Sequence, residues 1–406
     1  MSWRTLSVGD LVDAGAADIQ TGPFGTQLKA SDYVDDGTPV INVRNIGFGG
    51  LKPEKLEFVT EETAERLSSH LLKPRDIVFG RKGAVDRHLY VGVDQEHWMQ
   101  GSDCIRLRFL STDVVPRFVS YGFLTGTHQK WMLAQAGNKA TMPSLNHEII
   151  RRITLRLPMA SVQEATVDVL SAYDDLIENN RRRMALLEEA ARQLYREWFV
   201  RLRFPGREHT RITNGVPHGW VAGVLGDACN DGRDAVAPDQ LEPDTPYIGL
   251  EHMPRRSIAL AEWGRVEEVT STKLRFRRRE ILFGKIRPYF HKVGIALVDG
   301  VASSDAIVIR PRSPDLACLV LCCVSSDPFI AATSQGMKEG SKMPRADWKQ
   351  MQQYPLPVPP AGLLADFNGI IEPLHAQLRV LALQCRALRA ARDLLLPRLM
   401  SGEIAV

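Results

Sequence analysis

Asp76-Ile77-Val78-Phe79-Gly80-Arg81-Lys82 is written a second time, in the same order of residue types through its first six positions, as Glu280-Ile281-Leu282-Phe283-Gly284-Lys285-Ile286. Outward from this pair the echo continues on both sides. Upstream, Thr38-Pro39-Val40-Ile41 returns as Thr245-Pro246-Tyr247-Ile248. Downstream, Ser102-Asp103 with Ile105 and Leu107 returns as Ser304-Asp305 with Ile307 and Ile309. Asn138-Lys139-Ala140-Thr141-Met142-Pro143 is answered by the shorter Ser341-Lys342-Met343-Pro344, and Leu155-Arg156-Leu157-Pro158 by Leu356-Pro357-Val358-Pro359. The offset stays near half of the 406 residues throughout. A solenoid unit spans only roughly 20–45 residues, so this period means a duplicated domain.

Each copy has one plan: short strands and turns, then a long helix. Runs of β-branched and aromatic residues bounded by Gly and Pro predict strands at 39–43, 76–79, 90–93 and 306–309. A helical stretch carrying aromatics runs from Val115 to Gln135. The reading is α+β: two similar mixed α/β domains separated by two long antiparallel coiled-coil helices. The boundaries are 1–158 for the first globular domain, 159–204 for the first helix, 205–359 for the second domain with a short linker, and 360–406 for the second helix.

The first helix spaces Leu170, Tyr173, Ile177, Asn180, Met184, Leu187, Ala191, Leu194 and Trp198 alternately three and four apart. That is the period of a coiled-coil seam, with Asn180 as a polar residue that fixes register. Ser161 and Glu164 have capping-box spacing at its start, and Pro205-Gly206 closes it. The second helix repeats the period at Phe367, Ile371, Leu374, Leu378, Leu381, Cys385, Leu388, Leu395 and Leu399, with Arg392 interrupting the seam. Pro373 starts or kinks this helix, and Pro397 ends it. Such stripes need covering, either by the twin helix or by each helix's own domain; pairing of the twins is the reading adopted. A helix of about 35 residues is about 50 Å long, more than the roughly 34 Å turn of B-DNA.

Composition places the chain among soluble globular proteins: 44% hydrophobic, 24% charged, net charge +3. No apolar run nears the roughly 20 residues of a membrane span, residues 1–15 lack a signal-peptide layout, and a cytoplasmic protein without a membrane partner is expected. The six cysteines show no paired or zinc-like spacing, so buried reduced thiols are expected and no metal site. Marks of catalysis are missing too. There is no Walker A sequence and no Asn/Asp-Pro-Pro-aromatic motif; Gly47-Phe48-Gly49-Gly50 is an isolated turn, and Pro74-Arg75-Asp76 with Lys82 lacks nuclease spacing.

Candidate nucleic-acid contacts cluster at matching places in both copies. Arg81, Lys82, Arg87 and His88 flank a turn after the 76–79 strand; Lys285, Arg287, Tyr289, His291 and Lys292 occupy the same place later. Basic residues with an interleaved aromatic suit phosphate contact and base-edge reading. A second pair of patches is Lys139, Thr141 and Asn146 against Lys338, Ser341 and Lys342, introduced by Gly137 and Gly340. Arg44 and Asn45, and His252 with Arg255 and Arg256, follow the duplicated 38–41 strand; Lys29 lies upstream. Arg275 to Arg279 serves equally as a strand edge kept soluble by charge.

These residues carry a resemblance. Gly22-Pro23-Phe24-Gly25-Thr26-Gln27-Leu28-Lys29, Asp32-Tyr33, Pro39 to Ile46, the helix exit Leu194-Tyr195-Arg196-Glu197-Trp198-Phe199 and above all Leu394-Leu395-Leu396-Pro397-Arg398-Leu399-Met400-Ser401-Gly402-Glu403-Ile404 are similar to the specificity (S) subunits of type I restriction–modification systems. The similarity covers about residues 1 to 404. The chain departs from the pattern in two places: the second half has no counterpart of Gly22-Pro23-Phe24-Gly25, and the acidic-Gln pair of the first helix stands as Gln163-Glu164 with no equivalent in the second. The resemblance implies two target recognition domains, each reading one half of an asymmetric bipartite double-stranded DNA site. It implies helices that set the gap and dock two modification (methyltransferase) subunits, with restriction (endonuclease/translocase) subunits joining. This chain would be non-catalytic and hold no cofactor; S-adenosylmethionine, ATP and Mg would belong to the partners. The alternative is a separately encoded recognition subunit serving a fused restriction–methylation enzyme.

Overall fold

The 77–80 strand is buried on both faces, which explains its unbroken apolar run. In the computed structural model, which describes residues 3–23, 25–137, 143–335 and 343–406, Ile77 and Phe79 point into a core shared with helices, and Val78 into a second core with Ile41, Ile46, Leu89 and Cys104. Ile281 and Phe283 against Leu282 divide in the same way. Successive side chains of a strand face opposite sides, so a central strand between two apolar layers needs both.

The chain falls into two compact units, one of residues 1–174 and 390–406, the other of 175–389. In the first unit a five-stranded sheet runs Ala17–Thr21, Cys104–Phe109, Ile77–Gly80, His88–Tyr90, Phe48–Gly49; its neighbours are antiparallel except the last pair, which is parallel. A four-stranded sheet runs Tyr33–Val34, Glu57–Val59, Thr38–Ile41, Met99–Gln100, again with a parallel last pair. Arg4–Ser7 pairs with Thr154–Leu157. The 115–135 segment is two helices rather than one, Pro116–Phe123 and Gly126–Ala136. Thr125 caps the second by accepting from His128 N.

The second unit repeats the first of these sheets strand for strand and shares three strands of the other, with different strands at its edges. Its first sheet runs Cys229–Gly232, Ala306–Pro311, Ile281–Gly284, Val293–Ala296, Ala259–Leu260, with the last pair parallel. The second sheet runs Ala235–Val236, Lys273–Phe276, Gly300–Ala302, Pro246–Ile248, Gly264–Arg265. The start of the second copy, obscure in the sequence, is placed by hydrogen bonds: Val8 N donates to Ile153 O and Leu225 N to Tyr354 O, while Asp10 and Asp227 accept from Ser7 N and Val224 N.

The duplicated acidic residue is structural. Asp76 is buried and accepts two bonds from Arg108, at 2.6 and 2.7 Å, and one from Lys73 N. Glu280 takes Arg310 at 2.7 Å and Arg277 N. Arg75 and Arg279, just before each, both have positive φ, 79° and 75°.

Two long helices cross both units. The first spans Ala160–Tyr195 and runs on as a π turn through Val200. It begins one residue before Ser161, so that residue is no cap; Val162 N and Gln163 N bond back to Met159 O. Gln163 is fully buried, donating to Asp113 O and Pro158 O and accepting from Val115 N. The second helix is continuous over Ala361–Ser401, through both prolines. Pro397 therefore does not end it. The proline forfeits its own bond to the carbonyl of residue 393, a loss offset where Leu396 and Leu399 anchor that turn in the core.

Within each unit, segments of the two helices run antiparallel. In the first, Leu170 packs with Leu396 and Leu399, and Arg392 fills the seam by bonding Asp174 at 2.6 Å; Asp174 also accepts from Arg117 and Tyr121. In the second, Cys385 faces Ile177, Asn180 faces Gln384, and Phe367 packs on Trp198 and Phe199. Leu170, Ile177, Asn180, Trp198, Phe367, Ile371, Leu378 and Leu381 are buried; Tyr173, Met184, Leu187, Leu194, Leu374, Leu388 and Leu395 are half-buried. Both coverings weighed for the stripes occur together, since Phe367, Ile371 and Leu378 share a core with Ile281 and Phe283.

All six cysteines are buried thiols, and burial pushes Cys104, Cys229, Cys318 and Cys323 up to about 12. No single helix among the described residues is long and apolar enough to cross a membrane.

Candidate nucleic-acid interface

In each unit the loop after the central strand pairs with the segment before the last short helix. Leu145 N donates to Arg81 O at 2.8 Å and Gly83 N to Pro143 O at 2.9 Å. In the second unit Ala346 N donates to Lys285 O at 2.8 Å and Arg287 N to Pro344 O at 2.9 Å. Arg81 N and Lys285 N are tied in turn to Asp103 O and Asp305 O. The 81–83 loop and the 143–145 segment, distant in sequence, are thus adjacent in the first unit, and 285–287 and 344–346 are adjacent in the same register in the second. Lys139, Thr141, Lys338, Ser341 and Lys342 lie outside the described residues; the residues that follow them, from 143 and from 343, enter the bridges Lys82↔Ser144 and Ile286↔Arg345.

The cations differ in how firmly they are held. Lys82 is exposed and 3.4 Å from Asp103. Lys285 Nζ donates to Ser304 O at 2.8 Å, and burial lowers its pKa. Lys292 donates to Leu250 O at 2.5 Å and is also lowered by burial. Arg345, which sequence reasoning missed, pairs with Asp305 at 3.2 Å; its signal was its place right after Met343-Pro344, matching Ser144 after Met142-Pro143.

A third loop joins each cluster. Arg44 is exposed, donating to Lys55 O and pairing with Glu57 at 2.6 Å, and Arg87 lies 5.1 Å over the Phe48 ring. In the second unit Arg255 lies 4.1 Å over Phe290, and Arg287 5.8 Å from it. Arg256 pairs with Asp327 at 2.5 Å. Tyr289 is half exposed, at 51%.

Burial corrects the predicted contacts Asn45, His88 and His291. Asn45 is fully buried, its amide donating to Lys52 O and Glu54 O and its oxygen accepting from Asn42 N, so it shapes the 42–52 loop rather than reading bases. His88 is buried and shares a 2.8 Å bond with Ser120 Oγ. His291 is buried with Nε2 2.8 Å from Ser325 O. His252 is half-buried, its Nδ1 accepting from Gly249 N. Asn146 is exposed, but its oxygen caps the His147–Arg151 helix through Ile149 N at 2.8 Å. Lys29 precedes the Ala30–Asp32 turn beside Leu28, in the core of the four-stranded sheet.

Burial, with smaller pushes from His128 and Arg117, holds the His88 imidazole down to about 3. The unfolded chain titrates near 6.5, so between the two values it holds the extra proton and the folded form loses ground as pH falls. Moving from pH 7 to pH 5 should cost the first unit about 2 kcal/mol through this group. Urea unfolding followed by amide exchange in the Cys104–Phe109 strand tests this. Relative to His88→Asn, the wild type should lose that extra stability, and equal losses would remove His88 as the cause.

Residues 2–189 match the family model described as type I restriction modification DNA specificity domain. The chain is 22% identical over 311 residues to the type I restriction enzyme MjaIX specificity subunit of Methanocaldococcus jannaschii, covering 72% of this chain and 70% of the relative. It is 22% identical over 403 residues to the EcoDI specificity subunit of Escherichia coli, covering 93% and 82%. The fold is similar to the crystal structure of a type I restriction-modification S subunit from M. genitalium, with TM-score 0.59 and 14% identity over 98% of this chain and 96% of that one.

Proposed function

We propose that the chain is a specificity subunit of a type I restriction–modification system, a reading supported by the DNA specificity domain matched over residues 2–189 and by the similar specificity subunits, and that each unit reads one part of an asymmetric, bipartite double-stranded DNA sequence. The single observation that carries this reading is the repeated cationic loop pair. Arg81 with Leu145 and Lys285 with Ala346 hold the same backbone register beside central five-stranded sheets of one strand order. Two copies of a reading surface with different side chains suit two different half-sequences. Cations in that position supply phosphate contacts and polar tips supply base contacts.

In this reading the chain performs recognition. The paired helices dock two modification subunits, which methylate adenine with S-adenosylmethionine, and restriction subunits using ATP and Mg complete the endonuclease. The test is methylation by the chain assembled with its modification subunit, mapped across a genome. A split adenine-containing motif is expected. Reversing charge at Arg81 and Lys82, or at Lys285 and Arg287, should each weaken binding by roughly 100-fold at moderate salt and flatten its salt dependence. Methylation without a bipartite motif, or indifference to both reversals, would sink the reading.

A further inference from the structure

The two units keep one backbone scaffold at their loop clusters but exchange the side chains on it. In the first unit the aromatic ring, Phe48, comes from the loop after the Thr38–Ile41 strand and the guanidinium, Arg87, from the loop after Ile77–Gly80. In the second the guanidinium, Arg255, comes from the first of these loops and the ring, Phe290, from the other. Next to Phe290 stands Tyr289, its ring edge-on at 5.0 Å. Phe48 and Tyr289 are each 51% exposed, far more than aromatics that serve a core.

Both rings are held by backbone that has little freedom. Phe48 sits in a turn closed by Gly47 N donating to Gly50 O at 2.9 Å, and a Cβ on Gly47 would come within 2.7 Å of that oxygen. Tyr289 lies in the Pro288–Phe290 turn between Arg287 and His291, two side-chain-bearing residues with φ of 49° and 54°. Arg287 N is tied to Pro344 O, and His291 to Ser325 O. Positive φ in such residues persists only where surrounding structure over-determines it, and it collects where geometry must be pre-set. A rigid exposed ring flanked by cations fits the grooves and base steps of a polyanion, where the ring packs on a base or a thymine methyl and the cations hold the phosphates.

We propose that Phe48 and Tyr289 are specificity-determining residues, each packing its ring on a base of the half-sequence its own unit reads. This rests on the DNA-reading function above. Exchange of ring and guanidinium between the two loops gives each unit a different pattern on the same frame, so one fold reads two sequences.

The experiment uses the chain assembled with its modification subunit and a plasmid library in which each half of the methylated motif is randomised in turn. Phe48→Ala should relax base preference by roughly tenfold at one or two adjacent positions of one half and leave the other half intact. Tyr289→Ala should do the same to the opposite half. Phe48→Leu, which retains apolar bulk, separates ring loss from local collapse, and an unchanged unfolding midpoint in each variant excludes misfolding. Preference kept in both halves, or lost in both together, overturns the proposal. The charge reversals at Arg81 and Lys82 and at Lys285 and Arg287 run alongside. If they abolish methylation while the ring variants change nothing, the DNA-reading function stands and only this assignment falls; if they too change nothing, both fall.

Discussion

Asp76→Ala should unfold the first unit at a cost of about 3–5 kcal/mol, because it leaves a guanidinium without its partner in the interior. Asp76 is 1% exposed on its side chain and Arg108 20%, and the pair is bidentate. The carboxylate also satisfies Lys73 N, so the same change frees a turn donor. The equivalent Glu280→Ala should cost less, about 1–2 kcal/mol, since its pair with Arg310 is 15% and 31% exposed. Urea unfolding resolved by amide exchange in Cys104–Phe109 and in Ala306–Pro311 separates the two. Equal small losses would show that the duplicated acidic residue is dispensable, and the repeated motif would then need another explanation.

The second large effect is Phe367→Ala. Phe367 is fully buried, 5.7 Å from Trp198 and 4.9 Å from Phe199 between ring centroids, where the two helices meet in the second unit. Removing a buried ring costs about 3–5 kcal/mol in lost transfer energy and cavity, and the edge-to-face contact adds about 0.5–1.5 kcal/mol. Unfolding of the second unit at lower urea, with a red shift in tryptophan emission, is the expected result. Leu176→Ala, on a side chain 51% exposed, is the control and should change stability by less than about 0.5 kcal/mol. If the two variants unfolded alike, the helix seam would contribute little to holding this unit.

Part of the site was legible because it repeats. Arg81, Lys82, Lys285 and Arg287 could be found by matching the two copies, and the structure brings their loops against the 143–146 and 344–346 segments. His88, His291 and Asn45 were misread because polar residues in a basic run look alike in sequence whether they face solvent or carry internal hydrogen bonds. His88 is spent on Ser120, and Asn45 on three backbone groups. Phe48 was passed over inside a glycine turn, since exposure of a ring is not written in its neighbours.

The sequence by itself determined the duplication, the mixed α/β character of each copy and the register of the helices as far as Cys385, because strand alternation and the 3.5-residue repeat are local periodicities. Only the tertiary structure decided that the second helix runs through Pro373 and Pro397, and that Leu396 is buried where Leu395 is half-buried. It also decided that Arg392 completes the seam by meeting Asp174. Those outcomes depend on what stands opposite: a proline is tolerated, and a charge is buried, when a partner from a distant stretch of chain compensates for the lost bond or the lost water.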